Sequence, residues 1–228
     1  MSRNFLPKVP ILREMCKDEG VSETTTTSQR RSRGRPRLFD EEAALDQLTT
    51  LFWEKGFSQT SMADLVEASG VHKSSLYSTF GSKDELFATI LRRYYKDRMA
   101  MFASVIETAG DGFDAIHTFL DMMLEDVVSG PGQHGCLLVN TSVELNGSAP
   151  GFENFAVTYR AAIRDILRQL VAQAEPAGCT DGQLTDQRTD LLQTFMLGLI
   201  SATRGGADEL ELRRLMDSMH ATVDTWRN

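Results

Sequence analysis

Residues 60–83 read TSMADLVEASGVHKSSLYSTFGSK, and this stretch decides the fold. Apolar residues recur at helical spacing on both sides of residues 69–71, which predicts two short helices joined by a tight turn. Gly70 lies where the chain reverses, and a residue without Cβ tolerates the positive φ that such a turn requires. Ser82, which is soon followed by two acidic residues, predicts the N-cap of a longer helix. We therefore expect a helix-turn-helix unit over 60–79, followed directly by a long helix.

The second helix of this unit, over residues 71–80, has two chemically different faces. Val71, Leu76 and Phe80 supply its inward apolar contacts. Its other face is rich in hydrogen-bond donors and holds His72, Lys73, Ser74, Ser75, Tyr77, Ser78 and Thr79. No Asp or Glu occurs in these ten residues, although the chain has a net charge of -8. Such a face suits the DNA major groove; the alternative is the ordinary polar side of an amphipathic helix.

A further helix is predicted before this unit. Asp40 is a good N-cap, the next two residues are acidic, and Gly56 follows Lys55 where the helix should end. The buried face of this helix is predicted to consist of Ala44, Leu45, Leu48, Leu51 and Phe52.

Basic charge is concentrated near the helix-turn-helix unit. Residues 30–83 hold 8 basic and 7 acidic residues, which leaves 24-8=16 basic and 32-7=25 acidic residues elsewhere. Residues 30–37 read RRSRGRPR and include Arg33, Arg35 and Arg37. These arginines are either a solvated charge run or an arm that enters a narrow minor groove, as the short AT-hook-like core suggests.

Residues 33–97 resemble the N-terminal DNA-binding domain of the TetR family of bacterial transcriptional regulators. The matching pieces are Phe57 with Thr60-Ser61, Leu65-Val66 with Ala68-Ser69-Gly70-Val71, Ser75-Leu76-Tyr77 with Phe80, and Ser82-Lys83-Asp84-Glu85-Leu86. His72 and Val66 depart from the commonest residues of the family pattern, and the first departure bears on operator preference. The resemblance implies an operator-binding protein whose DNA contacts come from Arg33, Arg35, Arg37, Thr60, His72, Lys73, Ser74, Ser75, Tyr77, Ser78 and Lys83. Thr60 and Lys83 are expected at phosphates, which set register, whereas the helix starting at His72 carries sequence preference.

The expected architecture is all-α. We predict a disordered extension over 1–32, the DNA-binding domain over 33–97 and a larger helical domain over 98–228. The long helix from Ser82 joins the last two. Later helices are predicted around Phe113, from His134, before the glycine pair at 205–206 and after it, with a loop over 176–185.

The resemblance implies two roles for the helical domain. Its last two helices should form a homodimer seam through Leu192, Phe195, Met196, Leu199, Leu212, Leu215, Met216, Met219, Val223 and Trp226. Its interior should hold a small-molecule effector, with candidate contacts Met99, Phe102, Phe119, Met123, Cys136, Leu138, Phe155 and Tyr159. Cys136 has two open interpretations, a buried small hydrophobe or a thiol that senses electrophiles near a helix N-terminus.

Composition and spacing narrow the function classes. The chain has 41% hydrophobic and 25% charged residues, no apolar run of membrane-spanning length and no N-terminal signal-peptide pattern, so we expect a cytoplasmic protein that joins the nucleoid when bound to DNA. Three unpaired cysteines predict neither a disulfide framework nor a metal site, and we expect no cofactor. An enzyme is disfavoured because no nucleophile, phosphate or metal motif occurs. The alternatives that stay open are a repressor or an activator, and a helical protein-interaction module that does not bind DNA.

Overall fold

The computed structural model describes residues 39–108, 112–145, 153–175 and 182–227. In these ranges the fold is all-α, as predicted, with helices and two 3-10 turns and no strand. The helices are α1 (Glu41–Lys55), α2 (Met62–Ser69), α3 (Lys73–Phe80), α4 (Lys83–Thr108), α5 (Phe113–Val128), α6 (Leu137–Leu145), α7 (Glu153–Ala174), α8 (Gly182–Arg204) and α9 (Glu209–Asp224). The 3-10 turns are Pro131–His134 and Thr225–Arg227. Residues 41–228 form one compact unit, and the predicted boundary at 97/98 falls inside the continuous helix α4.

The start of α2 is fixed by a reciprocal capping pair. The Ser61 amide donates to the Asp64 carboxylate at 2.7 Å, and the Asp64 amide donates to the Ser61 hydroxyl at 3.2 Å. Lys55, at the end of α1, lies 2.8 Å from the same carboxylate. The hydrogen bond from Lys55, together with those from Ser61, holds the pKa of Asp64 well below its usual range. The charged side chain therefore joins the end of α1 to the start of α2.

The predicted turn between α2 and α3 is confirmed. Gly70 has φ 64 and ψ 9, the left-handed conformation, and its amide donates to the Val66 carbonyl at 3.0 Å. The Ser69 hydroxyl accepts a hydrogen bond from the Val71 amide at 3.2 Å. The amides of the turn thus donate to its own backbone and to the Ser69 side chain. These hydrogen bonds fix the angle at which α3 follows.

Ser82 begins the long helix α4, as predicted. Its amide donates to the Glu85 carboxylate at 2.7 Å, and the Glu85 amide donates to the Ser82 hydroxyl at 3.2 Å. The hydrogen bond from the Ser82 amide, and next that from the Ser82 hydroxyl to the same carboxylate at 2.9 Å, lower the pKa of Glu85. Helix α4 then runs from the helix-turn-helix unit into the helical body, where it contacts α5, α6 and α7.

Two details of the body differ from the expectation. The chain enters α6 at Leu137 rather than at His134, because Pro131–His134 forms a 3-10 turn and Gly135 has φ 78. Cys136 therefore sits directly before α6, where its carbonyl accepts the Asn140 amide at 2.8 Å. Helix α8 begins at Gly182, inside the segment expected to be a loop.

Most of the predicted dimer-seam residues face the interior of their own chain. Leu192, Met196, Leu199, Leu212, Met216, Met219 and Val223 are all buried. Their assignment to the seam is wrong, because the inner stripes of α8 and α9 pack within the chain, α9 chiefly on α5 and α8 on α7. Phe195, Leu215 and Trp226 are half-buried, while Leu191 and Leu210 are 43% and 78% exposed. The apolar residues available to another molecule thus lie on the opposite faces of the two helices.

Candidate nucleic-acid interface

Helix α3 presents a polar face to solvent above a buried anchor. Leu76 is 1% exposed and Val71 is also buried, which fixes the helix against the helices around it. The exposed residues are His72, Lys73, Ser74, Tyr77, Ser78 and Thr79, and Ser75 is half-buried. The structure therefore confirms that α3 has an apolar inner face and a polar outer face.

The N-terminus of α3 offers unpaired donors. His72 is the N-cap residue, with φ -60 and ψ 142, and its side chain makes no capping hydrogen bond. The Ser75 and Leu76 amides donate to the His72 carbonyl at 2.9 and 3.1 Å, which leaves the Lys73 and Ser74 amides without a cap. The Lys73 ammonium lies 5.8 Å from the centre of the Tyr77 ring. A helix start with exposed amides and a nearby cation is a favourable place for a phosphate group.

Lys83 has a structural role that its position in the sequence did not reveal. Its ammonium donates to the carbonyls of Phe57 and Thr60, both at 2.9 Å, and lies 4.1 Å from the centre of the Phe57 ring. Phe57 in turn packs on Phe87, with 4.9 Å between the ring centroids. Lys83 thus holds the loop between α1 and α2 against the start of α4. An ammonium has three N–H groups, so two such bonds leave one for a phosphate.

The predicted phosphate contact of Thr60 is wrong. The residue is 1% exposed, and its hydroxyl donates to the Gly56 carbonyl at 2.5 Å. Its amide donates to the Phe57 carbonyl at 3.2 Å. Thr60 therefore closes the loop, and Ser61 is the residue that caps α2. The predicted arm residues Arg33, Arg35 and Arg37 lie outside the described residues.

Two charged residues of the body hold the end of α1 and the loop that leads into the helix-turn-helix unit, and sequence analysis missed both. The Glu144 carboxylate accepts the amides of Phe57 at 3.0 Å and Ser58 at 2.7 Å. Arg204 donates to the carbonyls of Trp53 at 3.2 Å and Glu54 at 3.4 Å, at the C-terminal end of α1. These contacts join residues that are 86 to 151 positions apart in the chain, so no local sequence pattern predicts them.

Gly56 is where the Glu144 contact is reflected in the local sequence. It has φ 83, and a Cβ at this position would lie 2.9 Å from the Glu144 carboxylate. A side chain at position 56 would therefore obstruct the contact as well as strain the backbone. The sequence shows only a glycine at a helix end, for which helix termination is a sufficient explanation.

The predicted effector contacts lie in the body. Phe102, Phe119, Met123, Cys136, Leu138 and Tyr159 are buried, whereas Met99 and Phe155 are half-buried. The Phe102 and Phe119 rings are 5.4 Å apart. Cys136 is 1% exposed, so a dissolved reagent reaches its thiol only when the body opens. These residues stay candidates for effector binding.

Two histidines that look unrelated in the sequence are neighbours. The Nδ1 atoms of His117 on α5 and His220 on α9 are 2.6 Å apart, so one ring nitrogen carries the shared proton. Their Nε2 atoms lie 3.1 Å from the carboxylates of Asp224 and Asp121, respectively. This relay joins α5 to α9. Within the four described ranges, no group of three or more His, Cys, Asp or Glu residues is suited to hold a metal ion.

None of the described helices is long and apolar enough to cross a membrane.

Comparison with known proteins identifies the family to which this chain belongs. A sequence profile described as "Bacterial regulatory proteins, tetR family" matches residues 44–90, which contain the helix-turn-helix unit. The HTH-type transcriptional repressor ComR of Escherichia coli K12 is 31% identical over 216 residues, covering 89% of this chain and 96% of ComR. The chain belongs to the TetR family of bacterial transcriptional regulators, which bind DNA through this unit.

Solved structures share the fold. A TetR-family regulator from Streptomyces coelicolor superposes with a TM-score of 0.72 at 17% identity, covering 82% of this chain and 95% of that one. A cysteine mutant of the TetR-family regulator CifR, solved with 26-bp double-stranded operator DNA, gives a TM-score of 0.68 at 23% identity. It covers 82% of this chain and 98% of CifR. At this level of identity the two structures establish the architecture.

Replacing Lys83 tests its role in holding the loop. Lys83→Met keeps the aliphatic stem and removes two charge-assisted hydrogen bonds, so the free energy of unfolding should fall by roughly 1–3 kcal/mol. The matched control Lys73→Met changes an exposed lysine and should stay within about 0.5 kcal/mol of wild type. Urea denaturation measures both. Equal midpoints for Lys83→Met and wild type would contradict the structural role.

Proposed function

We propose that the chain is a homodimeric transcriptional repressor that binds operator DNA through the outer face of α3. A small molecule or reactive electrophile that enters the helical body would release it. The observation that carries this proposal is the acid-free, donor-rich face of α3, held rigid by the buried Leu76. ComR, which is similar over most of its length, is itself named a repressor. Such a protein acts in the cytoplasm, associated with the nucleoid when bound, and needs no catalytic residue or cofactor.

The proposed DNA contacts divide by chemistry. His72, Lys73, Ser74 and Ser75 are at or near the start of α3, where base edges and adjacent phosphates come within reach. Tyr77, which is 43% exposed, and Ser78 follow one turn later and suit phosphate or base contacts. Lys83 contributes its charge and its third N–H. The arm residues Arg33, Arg35 and Arg37 would add minor-groove contacts.

The homodimer is proposed to form through the outer faces of α8 and α9. Leu191 and Leu210 are exposed there, and Phe195, Leu215 and Trp226 are half-buried. Together with Leu191, four other exposed residues on α8 recur at spacings of three and four, namely Gln187, Thr194, Gly198 and Ser201. Small side chains let a partner helix approach closely, and the apolar ones supply buried area. Two recognition helices can then meet half-sites one DNA turn, or a multiple of it, apart.

Coupling between effector and DNA is proposed to run through α6 and the end of α1. Cys136 precedes α6, and Glu144 near the other end of α6 binds the amides of Phe57 and Ser58. A ligand that displaces the start of this nine-residue helix therefore moves the carboxylate that holds the loop before α2. The equilibrium between two arrangements of this contact is what the effector would bias.

A protein-interaction module is the second candidate function, because the outer face of α3 could equally contact an acidic protein. A gel-shift with the DNA upstream of the gene separates the two. Binding that resists excess unrelated DNA supports the operator-binding proposal, and its absence at low salt favours the module.

Lys73→Ala tests the DNA face. Loss of one phosphate contact should weaken binding about equally for different sequences and reduce the salt slope of log affinity by roughly one unit. The control Lys96→Ala removes an exposed lysine of α4 and should leave the slope unchanged. Fluorescence anisotropy over a salt series measures both. An unchanged slope for Lys73→Ala would remove this residue from the interface.

Leu191→Glu tests the dimer face. A carboxylate there would have to be buried against the partner, so the protein should shift toward the 25.4 kDa monomer while its helical content is kept. Val157→Glu, at a residue of α7 that is 64% exposed, is the control and should stay dimeric. Sedimentation velocity gives the masses. The proposed face is wrong if Leu191→Glu sediments as a dimer.

Glu144→Ala tests the contact between body and helix-turn-helix unit. Its removal should speed hydrogen exchange at the Phe57 and Ser58 amides about tenfold or more, since charge-assisted hydrogen bonds protect both. Glu67→Ala, an exposed glutamate of α2, is the control and should leave exchange at these amides unchanged. The measurement is residue-resolved exchange by NMR. Equal exchange rates in the Glu144 variant and wild type would rule the contact out.

A further inference from the structure

A polar cluster lies inside the helical body. Its members come from four parts of the chain and are Tyr94 and Arg98 on α4, Asp126 on α5, Cys136 before α6 and Tyr159 on α7. Each is at most 7% exposed. Only Cys136 and Tyr159 belong to the effector contacts expected from the sequence, so the cluster is wider than that expectation.

The cluster contains a buried ion pair. Arg98 Nη2 donates to Asp126 Oδ2 at 2.6 Å, and the guanidinium carbon lies 5.8 Å from the Tyr94 ring centre and 5.5 Å from that of Phe102. One cation is matched by one anion, so the buried charge is balanced. Removing two charges from water is costly, and apolar side chains of similar volume would stabilise the fold as well or better. Packing alone gives no reason for this pair.

Three donors of the cluster have no oxygen or nitrogen acceptor among the described residues, and the Cys136 sulfur beside the two phenols is only a weak acceptor. They are the hydroxyls of Tyr94 and Tyr159 and the Nε–H of Arg98. Buried polar groups are nearly always satisfied in folded proteins, so three at one place require an explanation. The Arg98 guanidinium carbon lies 5.8 Å from the Tyr94 ring centre, and the Tyr159 ring packs on the ring of Tyr95, the next residue of α4, with 6.3 Å between centroids.

The two phenols stay protonated. Burial, and next the Cys136 thiol beside them, raise the pKa of both Tyr94 and Tyr159 well above the ordinary value for tyrosine. Their O–H groups are thus available as donors throughout the physiological pH range. With the Arg98 Nε–H they make three donors, while the Asp126 carboxylate is already engaged by Arg98.

We propose that this cluster receives an oxygen acceptor of the effector, which is a small, largely apolar molecule with a carboxylate or carbonyl group. This inference rests on the proposed ligand response of the body and adds the chemistry of the ligand. An acceptor without hydrogens of its own satisfies three donors at once. Beyond Arg98, the Phe102 and Phe119 rings continue the apolar surroundings that the rest of the ligand requires.

The cluster also touches α1, the helix that precedes the helix-turn-helix unit. The Tyr94 ring meets the Trp53 ring edge-on, with 5.0 Å between centroids, and Trp53 is on α1. The Trp53 carbonyl accepts a hydrogen bond from Arg204. A ligand that reorients the Tyr94 hydroxyl therefore acts one residue contact away from the end of α1.

The test uses the full chain and three probes of similar shape, namely benzoate, acetophenone and ethylbenzene. Ligand-observed NMR measures their binding to wild type, to Tyr94→Phe/Tyr159→Phe and to the matched control Tyr95→Phe. We expect benzoate or acetophenone to bind wild type and Tyr95→Phe, with ethylbenzene at least about tenfold weaker. The double variant should lose about tenfold or more of the acceptor-dependent affinity. Preference for benzoate assigns a carboxylate effector, and preference for acetophenone a carbonyl one.

Several outcomes overturn the proposal. They are equal binding of ethylbenzene and the oxygen-bearing probes, equal binding to wild type and the double variant, and no binding of any probe, in which case the donors serve a buried water only. Thermal melting checks that each variant folds, and the single Tyr159→Phe variant replaces the double one if it does not. Operator affinity is measured on the same proteins without probes. If the operator is bound while the probe results are negative, this proposal fails and the proposed repressor function stands.

Discussion

The loop from Phe57 to Thr60 is held from both sides by opposite charges, and the orientation of the helix-turn-helix unit depends on it. The Lys83 ammonium binds its carbonyls at 2.9 Å, and the Glu144 carboxylate binds its amides at 2.7 and 3.0 Å. Charge-assisted hydrogen bonds to backbone groups are stronger than neutral ones and directional. Since Lys83 starts α4 and Glu144 lies near the end of α6, both helices position α2 through this one loop.

In this arrangement, the residues that stabilise the helix-turn-helix unit are different from those available to bind DNA. Leu65, Leu76 and the ring cluster around Phe87 keep the helix-turn-helix unit compact, and each fully buried apolar side chain contributes roughly 1.5–3 kcal/mol. The outer face of α3 takes no part in this packing, so its polar residues are available to bind DNA. The polar contacts to the body are few and surface-proximal, which suits an interface that must have two arrangements. Under the proposed release mechanism, these contacts would be remade in the second arrangement.

Local signals were sufficient for most of the fold and for the outer face of α3. The cap at Ser82, the glycine turn and the helical periodicities are each determined by residues close together in the sequence, and the structure has them. The seam assignment failed because α8 and α9 each carry apolar residues on two faces, and periodicity does not say which face meets the same chain. Glu144 and Arg204 were not predictable, because a single charged residue acquires its role only when distant segments meet. The donor cluster is a similar case, with members on α4, α5, α7 and the residue before α6.

The most direct test of the account is selection of binding sites from random-sequence DNA with the full-length protein. An account in which two α3 helices are held by a symmetric dimer predicts an enriched inverted repeat, with half-site centres one helical turn, or a multiple of it, apart. Substitution at Ser75 or His72 should then change the preferred bases inside the half-sites while their spacing is kept. Enrichment of no sequence, or of a single half-site without a symmetric partner, would contradict it.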